Sequence, residues 1–515
     1  MLSKIQSVPL ALSILLGAPA LSGQSQVPED EVTRAVIQFT RVYSAVQENF
    51  MDPVDSQQAI YNGGIRGALA ELDPFSNFFD PDQLDQLKQF AVGKTKGFGS
   101  VLYVQPGKIL VLQTAEGSPS RRAGLGPGDE IVSVNGTRID RLDMQSLVDL
   151  LQRSRSQTVR LGVIRPGKFV SEEFELHPAE IPTPSADKVF TLAPGIGYIH
   201  LNAFDIKTPQ EIAESIQKLG GEKLEGLVLD LRDNRGGVLD AATAAASLFL
   251  MPDQLVITQR GRRSPEKSFK TFSAPVHFNM PLVLLVNGAT ASAAEVFVAA
   301  LQEHDRAVVA GGPTFGKGVV ESVAELSHKT GLALTTAQYF TPSGRSIQRP
   351  LPGTALANPE SALRSDSNHD FRTASGRPLA HGGGISPDAA FHGAELDPWV
   401  TFLNQRGLFT NFASEYLTVR GKINEQFVPD EQTLELFKNF LNRQRVLTPD
   451  EYWQADQDYL KLRIQTELFN LVFGLEAGDQ IEVRGDPQVR QAMELFPRID
   501  ALLKPATPDL AVAPK

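Results

Sequence analysis

Cysteine is missing from all 515 residues. Its absence removes structural disulfides, thiolate nucleophiles, zinc–thiolate sites and a lipidated-cysteine anchor together. A basic excess is missing as well: 49 Lys and Arg stand against 60 Asp and Glu, for a net charge of −11. That balance argues against a dedicated nucleic-acid binder. No stretch reaches the roughly 18 uninterrupted apolar residues of a membrane span. The 8 histidines are scattered, so neither a metal cluster nor a cofactor is expected. With 42% apolar and 21% charged residues, wholesale disorder and collagen-like repeats are excluded too.

What is present begins with an export pattern. Lys4 precedes a short apolar run from Val8 to Leu16, followed by Ala18-Pro19-Ala20 and Ala20-Leu21-Ser22. A basic start, a brief apolar middle and small residues near position 20 fit a secretory signal peptide over residues 1–22. The mature chain is then expected outside the cytoplasm, in the periplasm or cell envelope or secreted.

The length implies several domains. Residues 28–95 read as helical, with Val32, Ala35, Val36, Phe39, Val42, Tyr43 and Val46 at helical spacing. A second helix is predicted from Gln57 to Leu72, ending at Asp73-Pro74, and Asp80 caps a third. Residues 96–170 change to short strands and turn signals, a separate β-rich unit. Residues 180–392 alternate apolar strands with helices, as in an α/β core with a buried sheet. Within them, 350–380 read as a surface insertion, and 393–515 are a helical extension.

Several catalytic patterns nearly match and then fail. Gly311-Gly312-Pro313-Thr314-Phe315-Gly316-Lys317 resembles a phosphate-cradling loop, but Gly318 stands where a hydroxyl is needed and strand follows rather than helix. His381-Gly382-Gly383-Gly384 resembles a lipase oxyanion loop, yet no Gly-x-Ser-x-Gly elbow exists in the chain. A hydroxyl and an amine remain. Ser292 lies among small residues after the apolar strand Pro281–Val286 and at the start of a helix, where unpaired N–H groups collect. Ser292 or Thr290 is equally a candidate for a plain helix cap. Lys317, flanked by Gly316 and Gly318, is the candidate partner. Only a neutral amine can take a proton from serine, and apolar burial is what removes a lysine's preference for charge.

At these residues the chain resembles the carboxyl-terminal processing peptidases, tail-specific serine endopeptidases of family S41. The landmarks are Arg66-Gly67 through Leu72-Asp73-Pro74-Phe75-Ser76, Gly97-Phe98-Gly99, Leu229–Gly237, Thr290–Glu295, Thr314–Gly318, Tyr339–Gln348 and Gly384–Asp388. Their shared order carries the resemblance. It implies a multidomain α/β protein: a crotonase-like α/β protease core with an inserted PDZ-like domain, between N- and C-terminal helical regions. It further implies a serine–lysine mechanism, with Ser292 attacking the peptide carbonyl, Lys317 as general base and then acid, and the amides of Gly237 (or Gly236) and Ala293 as the oxyanion hole.

One position departs from the family. Glutamine usually stands four residues after the lysine, and here it is Glu321. An ionised carboxylate ~4 Å from the amine would favour charged lysine by about 4 kcal/mol at an effective dielectric of ~20. The expectation is therefore a neutral or rotated Glu321, with Glu321→Gln raising kcat at neutral pH.

PDZ domains add an extended peptide to a sheet edge and hold its terminal carboxylate on backbone amides. Gly97, Phe98, Gly99 and Ser100 would form that seat. Leu147, Leu150 and Leu151 would help line the side-chain pocket, or belong to the unit's core. The expected partners are proteins or peptides with free C-termini; the amphipathic C-terminal helices are expected to pack on the core in a structural role, or else to bind a second copy of the chain or an adaptor. The leading expectation is an exported serine endopeptidase. The alternatives are a peptide-binding PDZ scaffold with a weak or inactive core, and an envelope structural protein organised by the helical tail.

Overall fold

A computed structural model of the chain describes residues 14–15, 29–165, 168–354, 356, 370–380, 383–391 and 396–504. The expected signal segment lies outside these residues apart from the backbone of Ile14–Leu15, as do 357–369 of the expected insertion and His381-Gly382. A long helix, Glu29–Asn49, opens the described chain and is exposed along nearly its whole length. After Asp73 the chain turns tightly. The Asp73 carboxylate accepts from the amides of Phe75 and Ser76, and strand Asn77–Phe79 then joins a larger sheet.

The small β-rich unit is a five-strand path. Strand Ser100–Gln105 forms its edge, followed in space by Lys108–Thr114, Glu130–Val134, Val159–Ile164 and Ser171–Leu176. Its last strand runs to Leu176, six residues past the expected boundary at 170. Helix Met144–Ser154 completes it, with the Asp143 carboxylate accepting from the Ser146 amide as a cap. On either side of the unit in sequence, strands Lys94–Gly97 and Ala179–Pro182 pair with each other.

The core sheet places Ile196–Leu201, Gly226–Asp230, Leu282–Val286 and Val308–Gly311 side by side and parallel. Gly226–Asp230 and Leu282–Val286 are buried at every position, which explains why the latter reads Leu-Val-Leu-Leu-Val with no polar interruption. One face packs on helices Thr208–Leu219, Leu239–Ala246 and Ala293–Glu303 through Leu229, Leu284, Ala242 and Phe297. The other face is covered from far along the chain: Val228, Val283, Leu285 and Val308 meet Val483, Val489, Ala492, Leu495 and Ile499. A second sheet, largely antiparallel, pairs Val319–Glu325 with Gly331–Phe340 and that strand with Leu255–Arg260. The Ile14–Leu15 backbone lies parallel to Val319–Glu325 at Glu321 and Ser322.

The C-terminal extension has two parts. Helices between Pro398 and Phe473 gather around Phe409, Phe412, Phe437, Phe440, Trp453 and Leu460 as a core of their own. They touch the small β unit where Leu471 and Leu475 meet Tyr103, Leu110 and Leu112. The helices that follow, Leu475–Gly485, Pro487–Met493 and Ile499–Leu502, provide the layer over the core sheet.

Candidate active site

Three loops leave the carboxyl ends of three adjacent parallel strands and converge there. This is where open α/β sheets generally present their ligand crevices. The first, after Asp230, carries Gly236 and Gly237; the second carries Thr290 and Ser292; the third carries Thr314 to Lys317. Hydrogen bonds join them. The Ala291 amide donates to the Asn234 carbonyl (2.9 Å), Thr290 Oγ1 to the Leu231 carbonyl (2.8 Å), and the Phe315 amide to the Thr290 carbonyl (3.0 Å). Thr290 is thereby committed to structure.

Ser292 sits at the start of helix Ala293–Glu303 with φ 61° and ψ −123°. A non-glycine residue there is strained, and such strain persists only where the surroundings over-determine it. Glu295 is the group that does so. Its fully buried carboxylate accepts from the Ser292 amide (2.8 Å) and the Lys317 amide (2.9 Å) on Oε2. On Oε1 it accepts from Thr314 Oγ1 (2.5 Å) and the Gly316 amide (2.7 Å). Two amides bonded to one oxygen atom place the backbones of Ser292 and Lys317 within about 6 Å of each other. Burial raises the Glu295 carboxyl above its usual range, and the four donors oppose that shift only in part. Because each oxygen already accepts twice, the ionised form is the one the donors fit.

The glycine pair lies against the Ser292 turn. At Gly236 (φ 93°) a Cβ would stand 2.7 Å from the Ala291 carbonyl oxygen and 2.9 Å from Ser292 Cβ. At Gly237 (φ 141°) it would lie 2.0 Å from the Phe204 carbonyl oxygen. Only glycine fits either place. The two amides differ, however. The Gly236 N–H donates to Asn234 Oδ1 at 2.9 Å, whereas those of Gly237 and Ala293 have no acceptor among the described residues.

Lys317 and Glu321 are both fully buried, with Nζ 2.6 Å from Oε1. This removes one of the two expectations for Glu321: the carboxyl is not turned away, because the strand that begins at Val319 carries it directly to the amine. The Lys317 amine also lies over the Phe75 ring, 4.6 Å from its centroid. Behind the site, Arg232 grips Asp230 (2.6 Å) and Asp486 (2.7 Å). Burial alone would raise the Asp230 carboxyl, but the Arg232 guanidinium holds it below the usual carboxylate range.

The expected peptide seat is only partly assembled as foreseen. Gly97 belongs to the paired strand Lys94–Gly97, opposite Ala179. Phe98 and Gly99 form the following turn, their carbonyls accepting from the Ser120 and Ala115 amides, and Ser100 Oγ donates to Ser120 Oγ. Leu147 is fully buried in the unit's core, with Leu150 and Leu151 half-buried against it. The edge of strand Ser100–Gln105 has no strand partner beyond Lys108–Thr114 among the described residues.

Sequence reasoning assigned no role to Glu295, Phe75 or Asn234. All three lie inside or beside the quoted landmark phrases, so the signal was in view. Their partners, however, are side chains 19 to 242 positions away or are backbone atoms.

The profile of peptidase family S41 matches residues 195–355, and a PDZ-domain profile matches residues 110–165. The chain is similar to a carboxyl-terminal-processing protease of Synechocystis sp., 31% identical over 366 residues, covering 66% of this chain and 84% of that protein. It is also similar to a carboxy-terminal-processing protease of Bartonella bacilliformis, 29% identical over 348 residues, covering 67% and 79%. Among solved structures, the photosystem II D1 C-terminal processing protease aligns at 26% identity and a TM-score of 0.36, over 70% of this chain and 91% of that one. The chain is thus a peptidase that carries a PDZ domain. It belongs to peptidase family S41, among the carboxyl-terminal processing proteases.

Proposed function

We propose that the protein is an exported serine endopeptidase that cleaves proteins near or from their C-termini, with Ser292 as nucleophile and Lys317 as base. The observation that carries this reading is the single Glu295 oxygen that accepts from the amides of both residues, tying segments 25 positions apart to one atom. Ser292 Oγ attacks the peptide carbonyl as its proton passes to the Lys317 amine. The oxyanion takes N–H donors from Gly237 and Ala293, a choice favoured over Gly236 because the latter's N–H is already bonded to Asn234. Lys317 then protonates the leaving amine, and a water hydrolyses the acyl-enzyme by the same proton path.

The parallel sheet with helices on both faces supports a crotonase-like core. The paired strands Lys94–Gly97 and Ala179–Pro182 support a PDZ-like unit inserted into the chain. That unit's unpaired edge suits a substrate C-terminus added as a strand. The residue pattern at the N-terminus supports export to the periplasm or envelope. A second reading, a peptide-binding scaffold with a weak core, is favoured by one observation, the contact between Lys317 and Glu321.

The test is digestion of an unfolded protein by the purified full chain beside Ser292→Ala. Wild type is expected to cleave and the variant to lose at least about a thousandfold in kcat/KM. Peptide binding without turnover in either protein would leave the scaffold reading standing, and equal turnover in both would end the assignment of Ser292.

A further inference from the structure

We propose that Glu321 stores the proton that Lys317 must give up, so that this site frees its base by an internal transfer rather than by losing a proton to solvent. The inference rests on the serine–lysine reading above and deepens it at the position where this chain departs from its family.

Three observations lead there. Nζ and Oε1 are 2.6 Å apart in an ion-pair contact that is not aligned as a hydrogen bond, so a small rotation of either side chain brings a proton within transfer range. Both side chains are fully buried, and two full charges withdrawn from water are costly, whereas one proton moved between them cancels both charges and leaves an O–H···N hydrogen bond. The ladder between Val319–Glu325 and Gly331–Phe340 slips by one residue between Val320 and Glu321, the kind of irregularity that re-aims a side chain. The surroundings add no rival charge on the neighbouring strand, where Tyr339 is the lone titratable residue of Gly331–Phe340. Glu295 reaches the Lys317 amide rather than its amine, and the Arg349 guanidinium donates to the Thr314 carbonyl. The Phe75 face favours the ammonium form. That preference is useful once the amine has taken the serine proton.

The protons balance through the cycle. Starting from ammonium and carboxylate, an N–H bond of Lys317 breaks and an O–H bond of Glu321 forms. As the bond from Ser292 Oγ to the carbonyl carbon forms, the hydroxyl proton goes to Nζ and the carbonyl π pair to oxygen. When the C–N bond breaks, Nζ gives that proton to the leaving amine. Deacylation repeats the path with water, one of whose protons returns through Nζ to Ser292 Oγ. Glu321 keeps its proton throughout. In this cycle it acts through Lys317, as a positioning residue.

The experiment is the pH profile of kcat/KM, and of Ser292 labelling by a fluorophosphonate probe, for wild type, Glu321→Gln, Lys317→Ala and Ser292→Ala. With a stored proton, wild-type labelling stays flat from about pH 8 down to about pH 6. Glu321→Gln must shed its lysine proton to solvent and falls about tenfold per pH unit over the same range. The sign at neutral pH is then a loss for Glu321→Gln, the reverse of the gain anticipated from the sequence. A wild-type profile that itself falls tenfold per unit overturns the proposal, whether or not the variant folds. An acid limb displaced to lower pH in Glu321→Gln overturns it as well, since that is the behaviour of a carboxylate that merely holds the lysine charged. If wild type shows no labelling lost in Ser292→Ala and Lys317→Ala, the serine–lysine reading fails and takes this inference with it. If that labelling is present and only the Glu321 profile is wrong, the inference fails alone.

Discussion

The protease core and the PDZ-like unit treat charge in opposite ways. In the core, Arg345 pairs with Glu303 at 2.8 Å with side chains 2% and 1% exposed, and Lys317 pairs with Glu321 with no exposure at all. In the PDZ-like unit, Arg160 pairs with Glu175 at 3.2 Å with side chains 75% and 48% exposed. An exposed pair exchanges water contacts for each other at almost no net gain, whereas a buried partner left alone keeps its full desolvation cost. The difference teaches where this molecule depends on single atoms. The loops around Ser292 and Lys317 are held by buried, filled acceptors, and the PDZ-like unit is held by its apolar interior around Ile109, Val111, Leu147 and Val163.

That contrast can be broken by experiment. Glu303→Ala strands the Arg345 guanidinium and also removes the acceptor of the Ser343 amide. Its expected cost is about 3–5 kcal/mol in urea unfolding, and a loss below about 1 kcal/mol would show that the core does not depend on its pairs. Amidating the C-terminus of a peptide substrate is expected to lower kcat/KM about tenfold, chiefly through KM, because a carboxylate held on backbone amides is lost while the catalytic loops are untouched. An unchanged kcat/KM would remove the PDZ-like unit from substrate selection. At the small end, Arg160→Ala should move stability by no more than about 0.5 kcal/mol. A larger shift would blur the distinction between the two regions.

Much of the architecture was legible. Strand Leu282–Val286 and the helix from Ala293 appear at the predicted places, because an uninterrupted apolar run between turn signals leaves few alternatives. Strands Lys108–Thr114 and Glu130–Val134 likewise follow their turn residues. Helix 57–72 is less faithful: Gln57–Ile65 is wound as a π-helix and the regular helix is only Arg66–Ala70. At the candidate site the sequence singled out Ser292, Lys317 and the glycine pair, and the structure brings the loops that carry them together. The site was not legible at Leu147, whose spacing suits a pocket and a core equally well. The final helices do pack on the core, as their amphipathic pattern allowed, but no local signal named Val228 and Val283 of the core sheet as the surface they cover.

Residue chemistry and local order alone determined the apolar strand Leu282–Val286, the helix that follows Ser292, and the acid at 321. Only the tertiary structure decided what the two site carboxylates do. Glu295 stands three residues after Ser292 and Glu321 four after Lys317, yet one faces three amides and a hydroxyl and the other an amine. Which donor a carboxylate meets, and how far water is excluded from the pair, depends on segments as distant as Phe75, and no local pattern contains that information.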